Sequence, residues 1–123
     1  MKKQYNLTKA EQEVMEVLWE SAVPVHTGEL LEQMRVKGRE WKRQTLNTLL
    51  FRLDEKGIVS RKHAYVEAAL NREELLQKRT QNILDDFYDG KIGNFFAALT
   101  GNTHLKKEEA DILNDLIEQL KNQ

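Results

Sequence analysis

The chain has 123 residues, a formal net charge of −1, 32% charged residues, a single proline and no cysteine. The lack of cysteine removes disulfides, thiolate catalysis, Cys-ligated zinc and thiol redox sensing together, and fits a reducing compartment. No apolar run reaches the roughly 18 residues of a membrane span and no signal-like segment is present, which predicts a cytoplasmic protein of one or two small modules.

The first helix is announced by Thr8, with Glu11 three residues later able to complete a capping box. Ala10, Val14, Val17 and Leu18 mark its buried face, and Trp19 anchors its end near Ser21. Val23, Pro24 and Val25 read as an extended link, because the residue before a proline is pushed out of the helical region. A short second helix is predicted from about Thr27 to Arg35, capped by Thr27 or His26, with Leu30, Leu31 and Met34 inward. Residues 36–40 then turn into a third, longer helix.

That third helix lies in WKRQTLNTLLFRLDEKG, where Leu46, Leu49, Leu50 and Leu53 fall at i, i+3, i+4 and i+7 and form one stripe. Gln44, Thr48, Phe51 and Glu55 point the other way, with Asn47 on one flank and Thr45 and Arg52 on the other. Amide and hydroxyl groups near the helix start are the chemistry that reads base edges and phosphates. Gly57 stops the helix at a position suited to a left-handed residue. Residues 58–62 and 65–69 read as two strands joined at His63 and Ala64, a turn without the glycine or asparagine expected of a tight hairpin.

Charge supports the same segment. Residues 1–79 carry +3 and residues 80–123 carry −4, while residues 35–62 hold nine basic side chains against three acidic ones. A local positive excess, not the total charge, is what neutralises phosphates. Three helices with short connections followed by a β hairpin match a winged helix-turn-helix in order and length.

Asn71 and Glu74 form a second capping box, opening a helix with Leu75, Leu76, Ile83, Leu84 and Phe87 at mostly helical spacing. Gly90 interrupts it. Ile92, Phe95, Phe96 and Leu99 repeat the apolar pattern, residues 101–104 form a turn, and Ile112, Leu113, Leu116, Ile117 and Leu120 make a last stripe. This half has too much apolar helix surface to cover itself, because a unit of about fifty residues buries only ~60% of its unfolded surface. A second copy is the natural cover, and a twofold dimer would present two recognition helices to half-sites one helical turn apart. Packing of these helices on the N-terminal module of the same chain is the alternative.

The order of LTKAEQEVMEVLW at residues 7–19, WKRQTLNTLLFRLDEKGIVSRK at 41–62, NREE at 71–74 and LKKEEADILNDLIEQL at 105–120 resembles the penicillinase-repressor family, the BlaI/MecI type of winged-helix repressor. The resemblance implies a mainly α fold with a small β wing, in which residues 1–70 form a winged helix-turn-helix DNA-binding domain and residues 71–123 a helical dimerisation domain. It also implies repression from dyad-symmetric operators. Base contacts are expected from Arg43, Gln44, Thr45, Asn47 and Thr48, and backbone contacts from Lys42, Arg52, Arg61 and Lys62. The dimer is expected to be built by Ile83, Phe87, Phe95, Phe96, Leu99, Ile112, Leu113, Leu116 and Leu120.

The chain departs from the family in three places. Its wing is shorter and lacks the usual glycine or asparagine turn. It has no cysteine for the copper-sensing motif of some relatives. The antibiotic-responsive members are inactivated when a membrane sensor protease triggers cutting at an Asn-Phe bond. Such a pair occurs here at Asn94-Phe95, but aligning Tyr88-Asp89-Gly90 with the family places the scissile position nearer Ala98-Leu99, about one helical turn away. A helix-core phenylalanine behind an exposed amide is the alternative reading of Asn94-Phe95.

Catalytic readings find no support. His26, His63 and His104 are widely separated, Ser21 and Ser60 sit in no nucleophile motif, and no glycine-rich phosphate loop exists. The adjacent acids Asp85-Asp86 and Glu108-Glu109 face different sides of their helices. No cofactor or metal is implied. The rival to a DNA-binding repressor is a winged-helix adaptor that grips a protein through Phe51; duplex RNA is disfavoured because its deep major groove admits no helix.

Overall fold

The computed structural model describes residues 3–99, 101, 107, 108, 111, 112, 115, 118 and 119. The chain divides into two compact units, Met1–Arg79 and Thr80–Gln123.

The first unit begins with α1 (Lys9–Glu20), whose start is fixed as the residues require. The Glu11 amide donates to Thr8 Oγ1 at 3.1 Å, and the Thr8 amide donates to Glu11 Oε1 at 2.9 Å. Each bond satisfies a backbone donor that a helix start leaves orphaned. Val14, Met15, Val17 and Leu18 enter the core; Met15 joins the expected stripe because it flanks Val14 and Leu18 on the same wide face. Trp19 is half-buried, and its indole N–H donates to the Leu70 carbonyl at 2.9 Å, tying the helix to the end of the hairpin.

The segment read as a mere link holds a strand, β1 (Val25–His26). Two residues carry no period-2 pattern, so only the pairing partner reveals it. α2 (Thr27–Val36) follows at once, with His26 as its cap: the ring Nδ1 accepts from the Gly28 amide at 3.0 Å. α3 (Arg43–Glu55) buries Leu46, Leu49, Leu50 and Leu53. It ends where Gly57 takes a φ of 77° and its amide donates to the Asp54 carbonyl, while the Ile58 amide donates to Leu53. Glycine adopts that left-handed geometry without the Cβ penalty.

β2 (Val59–Lys62) and β3 (Tyr65–Ala68) form the hairpin, and β1 adds to the outer edge of β3 to give a three-stranded antiparallel sheet ordered β1-β3-β2. Val25 pairs with Val66, and Arg61 pairs with Val66 from the other side. Val25, Val59 and Val66 turn their side chains into the same core as the three helices, so the sheet is clamped by apolar contact and not only by its ladder. α4 (Arg72–Phe87) opens on the expected Asn71–Glu74 capping box, with reciprocal bonds of 2.8 and 3.0 Å. Leu75 in its first turn is buried in the core of the first unit.

In the second unit, Asp89 and Gly90 take positive φ of 53° and 71°, and the Gly90 amide donates back to the Leu84 carbonyl. α5 (Ile92–Leu99) follows. Tyr88 meets Phe95 edge to face at 5.6 Å, and Phe95 meets Phe96 at 5.9 Å.

Candidate nucleic-acid interface

The four leucines of α3 are at most 7% exposed, which fixes the roll of the helix. Arg43, Gln44, Thr45, Asn47, Thr48, Phe51 and Arg52 are all exposed as a consequence. The Thr48 hydroxyl donates to the Gln44 carbonyl at 3.0 Å. It therefore offers the outside an acceptor oxygen and a methyl group, and not a donor.

The start of α3 is built against the usual stability rules. Lys42 is its cap yet makes no side-chain capping bond, the first turn contains no acidic residue, and the first helical residue is Arg43. Cations at the positive end of a helix dipole cost stability in an isolated chain, whereas an incoming anion there is favoured by the dipole and by the free N–H groups. The arrangement suits a phosphate.

Not every basic side chain in the positive segment is available to a partner. Arg39 forms a two-pronged bond to Glu13 on α1 at 2.6 and 3.1 Å, which holds the Glu13 carboxyl below the usual carboxylate range. Arg35 pairs with Glu32 within α2, and Lys56 with the buried Glu11. Just after the positive segment, Arg72 grips Glu16 while its guanidinium lies 4.7 Å from the centre of the Trp19 ring. Lys37, Lys42, Arg43, Arg52, Arg61 and Lys62 make no ion pair among the described residues. Three of the nine cations counted in the sequence therefore serve the fold. Ion partners 26 and 45 residues apart leave no local signal, so counting alone does not separate the two groups.

Arg39 also ties the turn ahead of α3 to α1 and α2. Its amide donates to the Met34 carbonyl, its side chain locks to α1, and its guanidinium stands 5.7 Å from the Trp41 ring just ahead of α3. Gly38 turns the chain here with a φ of 96°.

The hairpin is a two-residue loop closing from Lys62 to Tyr65, and His63 supplies the positive φ, 57°, that glycine or asparagine would normally take. The Ala64 carbonyl accepts from the Thr27 amide at 2.9 Å, fastening the hairpin tip to the start of α2. Arg61 and Lys62 are adjacent in a strand and so project from opposite faces of the sheet. Arg61 is half-buried on the face of Val59, and Lys62 is exposed with Ser60. A shallow groove of about 390 Å³ lies along that outer side, lined by Pro24, Ser60, Lys62, His63, Tyr65 and Glu67.

The apolar residues assigned to a dimer divide into described and undescribed groups. Ile83, Phe87, Phe96, Leu99 and Ile112 are exposed, with Phe87 at 76%, and Phe95 is half-buried between two aromatic rings. Leu113, Leu116 and Leu120 lie outside the described residues, as do residues 102–104 of the expected turn. Asn94 is exposed and its amide nitrogen donates to the Tyr88 carbonyl at 3.3 Å; Ala98 and Leu99 are exposed at the end of the same helix. Among the described residues no helix is long and apolar enough to cross a membrane, and no three His, Asp or Glu side chains gather as a metal site.

Known proteins resemble this chain along nearly its whole length. The family model described as penicillinase repressor matches residues 7–119. The penicillinase repressor of Bacillus licheniformis is 28% identical over 127 aligned residues, covering 99% of this chain and 97% of that protein. The methicillin resistance regulatory protein MecI of Mammaliicoccus sciuri is 25% identical, covering 98% and 94%. A protein of Latilactobacillus sakei described as an uncharacterized 16.5 kDa protein is 31% identical over 112 residues, covering 87% and 73%.

Proposed function

The chain belongs to the penicillinase repressor family, and on that premise we propose that it is a cytoplasmic, homodimeric transcriptional repressor that occupies a dyad-symmetric DNA operator. The observation that carries this reading is the outer face of α3, where amide and hydroxyl groups lie exposed between unpaired cations at the start of a helix. In this reading Gln44 and Asn47 reach base edges, because a carboxamide matches the paired donor and acceptor of adenine in the major groove. Arg43, Thr45 and Thr48 complete the base contacts, with Thr48 acting through its acceptor oxygen or methyl. Lys42 and Arg52 bind phosphates along the helix, and Lys62 does so from the exposed face of the hairpin. Arg61 is the weakest of the expected phosphate ligands, being half-buried on the opposite face.

The exposed apolar side chains of α4 and α5 supply the proposed twofold interface, with residues 1–70 binding DNA and residues 71–123 joining the copies. Each half-site alone binds weakly, so any event that separates the protomers releases the operator. Asn94-Phe95 and Ala98-Leu99 both lie in α5, and cutting at either would remove part of that apolar surface.

The test is a fluorescence-anisotropy titration of the protein against the duplex upstream of its own coding sequence and against a shuffled duplex, at two salt concentrations. Tight, salt-sensitive binding with preference for the native duplex is expected. Equal binding to both duplexes would reduce the positive face to a nonspecific surface. The second reading, a protein-binding adaptor, rests on Phe51, which is 56% exposed on α3; an adaptor interface would respond little to salt, whereas several phosphate contacts weaken steeply with it.

A further inference from the structure

Phe51 is a large apolar side chain on a face that otherwise offers amides, hydroxyls and cations, and the proposed base contacts do not use it. It follows Gln44 by seven residues, Asn47 by four and Thr48 by three, so it shares their side of α3. The leucines that set the roll of the helix leave it pointing outward, and no aromatic or cation–π partner meets it among the described residues. Arg52 lies beside it and Arg43 and Lys42 lie two turns ahead, so a polyanion drawn to these cations covers Phe51 as well. Glu55, one turn further on, marks the end of the surface an anion would accept.

In a major groove one base feature alone is apolar, the thymine 5-methyl group, and phenylalanine is among the side chains that meet it. We propose that Phe51 is a specificity-determining residue that selects a thymine through that methyl group, an inference that rests on the reading of α3 as the recognition helix. Seven residues of helix advance about 10 Å. With base pairs spaced about 3.4 Å apart, the selected thymine falls within roughly three base pairs of the base read by Gln44. The polar residues then define one end of the half-site and Phe51 the other.

The experiment uses the full chain and a duplex that the protein itself enriches from a randomised pool. Each thymine of the enriched half-site is replaced in turn by deoxyuridine, which removes the methyl group and leaves the pairing edge intact. Wild-type protein and Phe51→Ala are titrated against every duplex, with their melting curves compared to confirm equal folding. One position is expected at which deoxyuridine weakens wild-type binding roughly fourfold, the amount one buried methyl group contributes. Phe51→Ala is expected to bind the thymine and uracil duplexes at that position equally. Equal sensitivity of both proteins at every position, or none in either, would overturn the assignment while leaving α3 as a recognition helix. Unchanged DNA binding by Phe51→Ala would overturn it in favour of a protein contact. Failure of the wild type to enrich any sequence would overturn the recognition helix and Phe51 with it.

Discussion

The Lys56 ammonium donates to both carboxylate oxygens of Glu11, at 3.0 and 2.9 Å, and to the Asn6 carbonyl at 2.9 Å. Glu11 belongs to the capping box of α1 and Lys56 is the C-cap of α3, so one ion pair joins the start of α1 to the end of α3. The Glu11 side chain is 1% exposed and Lys56 23%. Such a pair is weak evidence of net stabilisation, but removing one partner leaves a buried group uncompensated.

Burial pushes the Glu11 carboxyl up, yet the Thr8 amide and hydroxyl and the Lys56 ammonium outweigh it, and the group titrates below the ordinary carboxylate range. Its contribution to stability is therefore complete above the unfolded carboxylate pKa and is lost as pH falls through the lower folded value. Glu11→Gln is expected to cost about 2 kcal/mol at neutral pH and to flatten the acid limb of stability measured by urea denaturation. An acid limb as steep as that of the wild type would remove Glu11 as its source.

Arg39 and Arg52 test the division between cations that build the fold and those proposed to meet DNA. Arg52→Gln is expected to lower the slope of log affinity against log salt by about 0.9 for each phosphate left without its cation, hence roughly 1.8 in a dimer. Arg39→Gln should leave that slope unchanged and lower the melting temperature, because its charge is already spent on Glu13. A lowered slope in Arg39→Gln would reverse the assignment.

How far these roles are legible in the sequence follows from the range of the interaction that sets each one. The leucine stripe of α3, both capping boxes and the Gly57 stop are local, and each is found where the residues place it. β1 escapes because a two-residue strand exists only through its pairing with β3. The tasks of Arg39 and Lys56 escape because their partners are distant in sequence, whereas the outward position of Phe51 follows from the leucine stripe alone and is found as read. Opposite faces for Arg61 and Lys62, in contrast, follow from strand periodicity alone.

The double variant Gln44→Ala, Asn47→Ala should lose discrimination between the native and shuffled duplexes, since each carboxamide pairing contributes about 1–3 kcal/mol against a wrong base. Affinity for the shuffled duplex should stay within about twofold, because nonspecific binding is supplied by phosphate contacts. Discrimination equal to wild type in a competition titration would sink the recognition assignment.

His63 holds a φ of 57° in the hairpin turn, a conformation that disfavours a residue bearing a Cβ. His63→Gly should therefore raise stability by about 1 kcal/mol, or a few degrees in melting temperature for a unit of this size, offset in part by the greater entropy of glycine in the unfolded chain. A fall in melting temperature would mean that the imidazole makes a compensating contact.

Phe87 and Leu99 test the proposed dimer without disturbing the first unit, since both are exposed in the single chain, at 76% and 66%. Burying a phenylalanine contributes about 1.5–3 kcal/mol, and a twofold axis applies each substitution twice. Phe87→Glu also sets a carboxylate against apolar surface in both copies. Sedimentation at micromolar concentration should shift from dimer to monomer, and operator affinity should fall by two or more orders of magnitude as the two half-sites cease to be bound together. The melting transition of the first unit should be preserved, because its core includes no residue of this face. A wild-type chain already monomeric at that concentration would overturn the dimer, and with it the account of operator release by protomer separation.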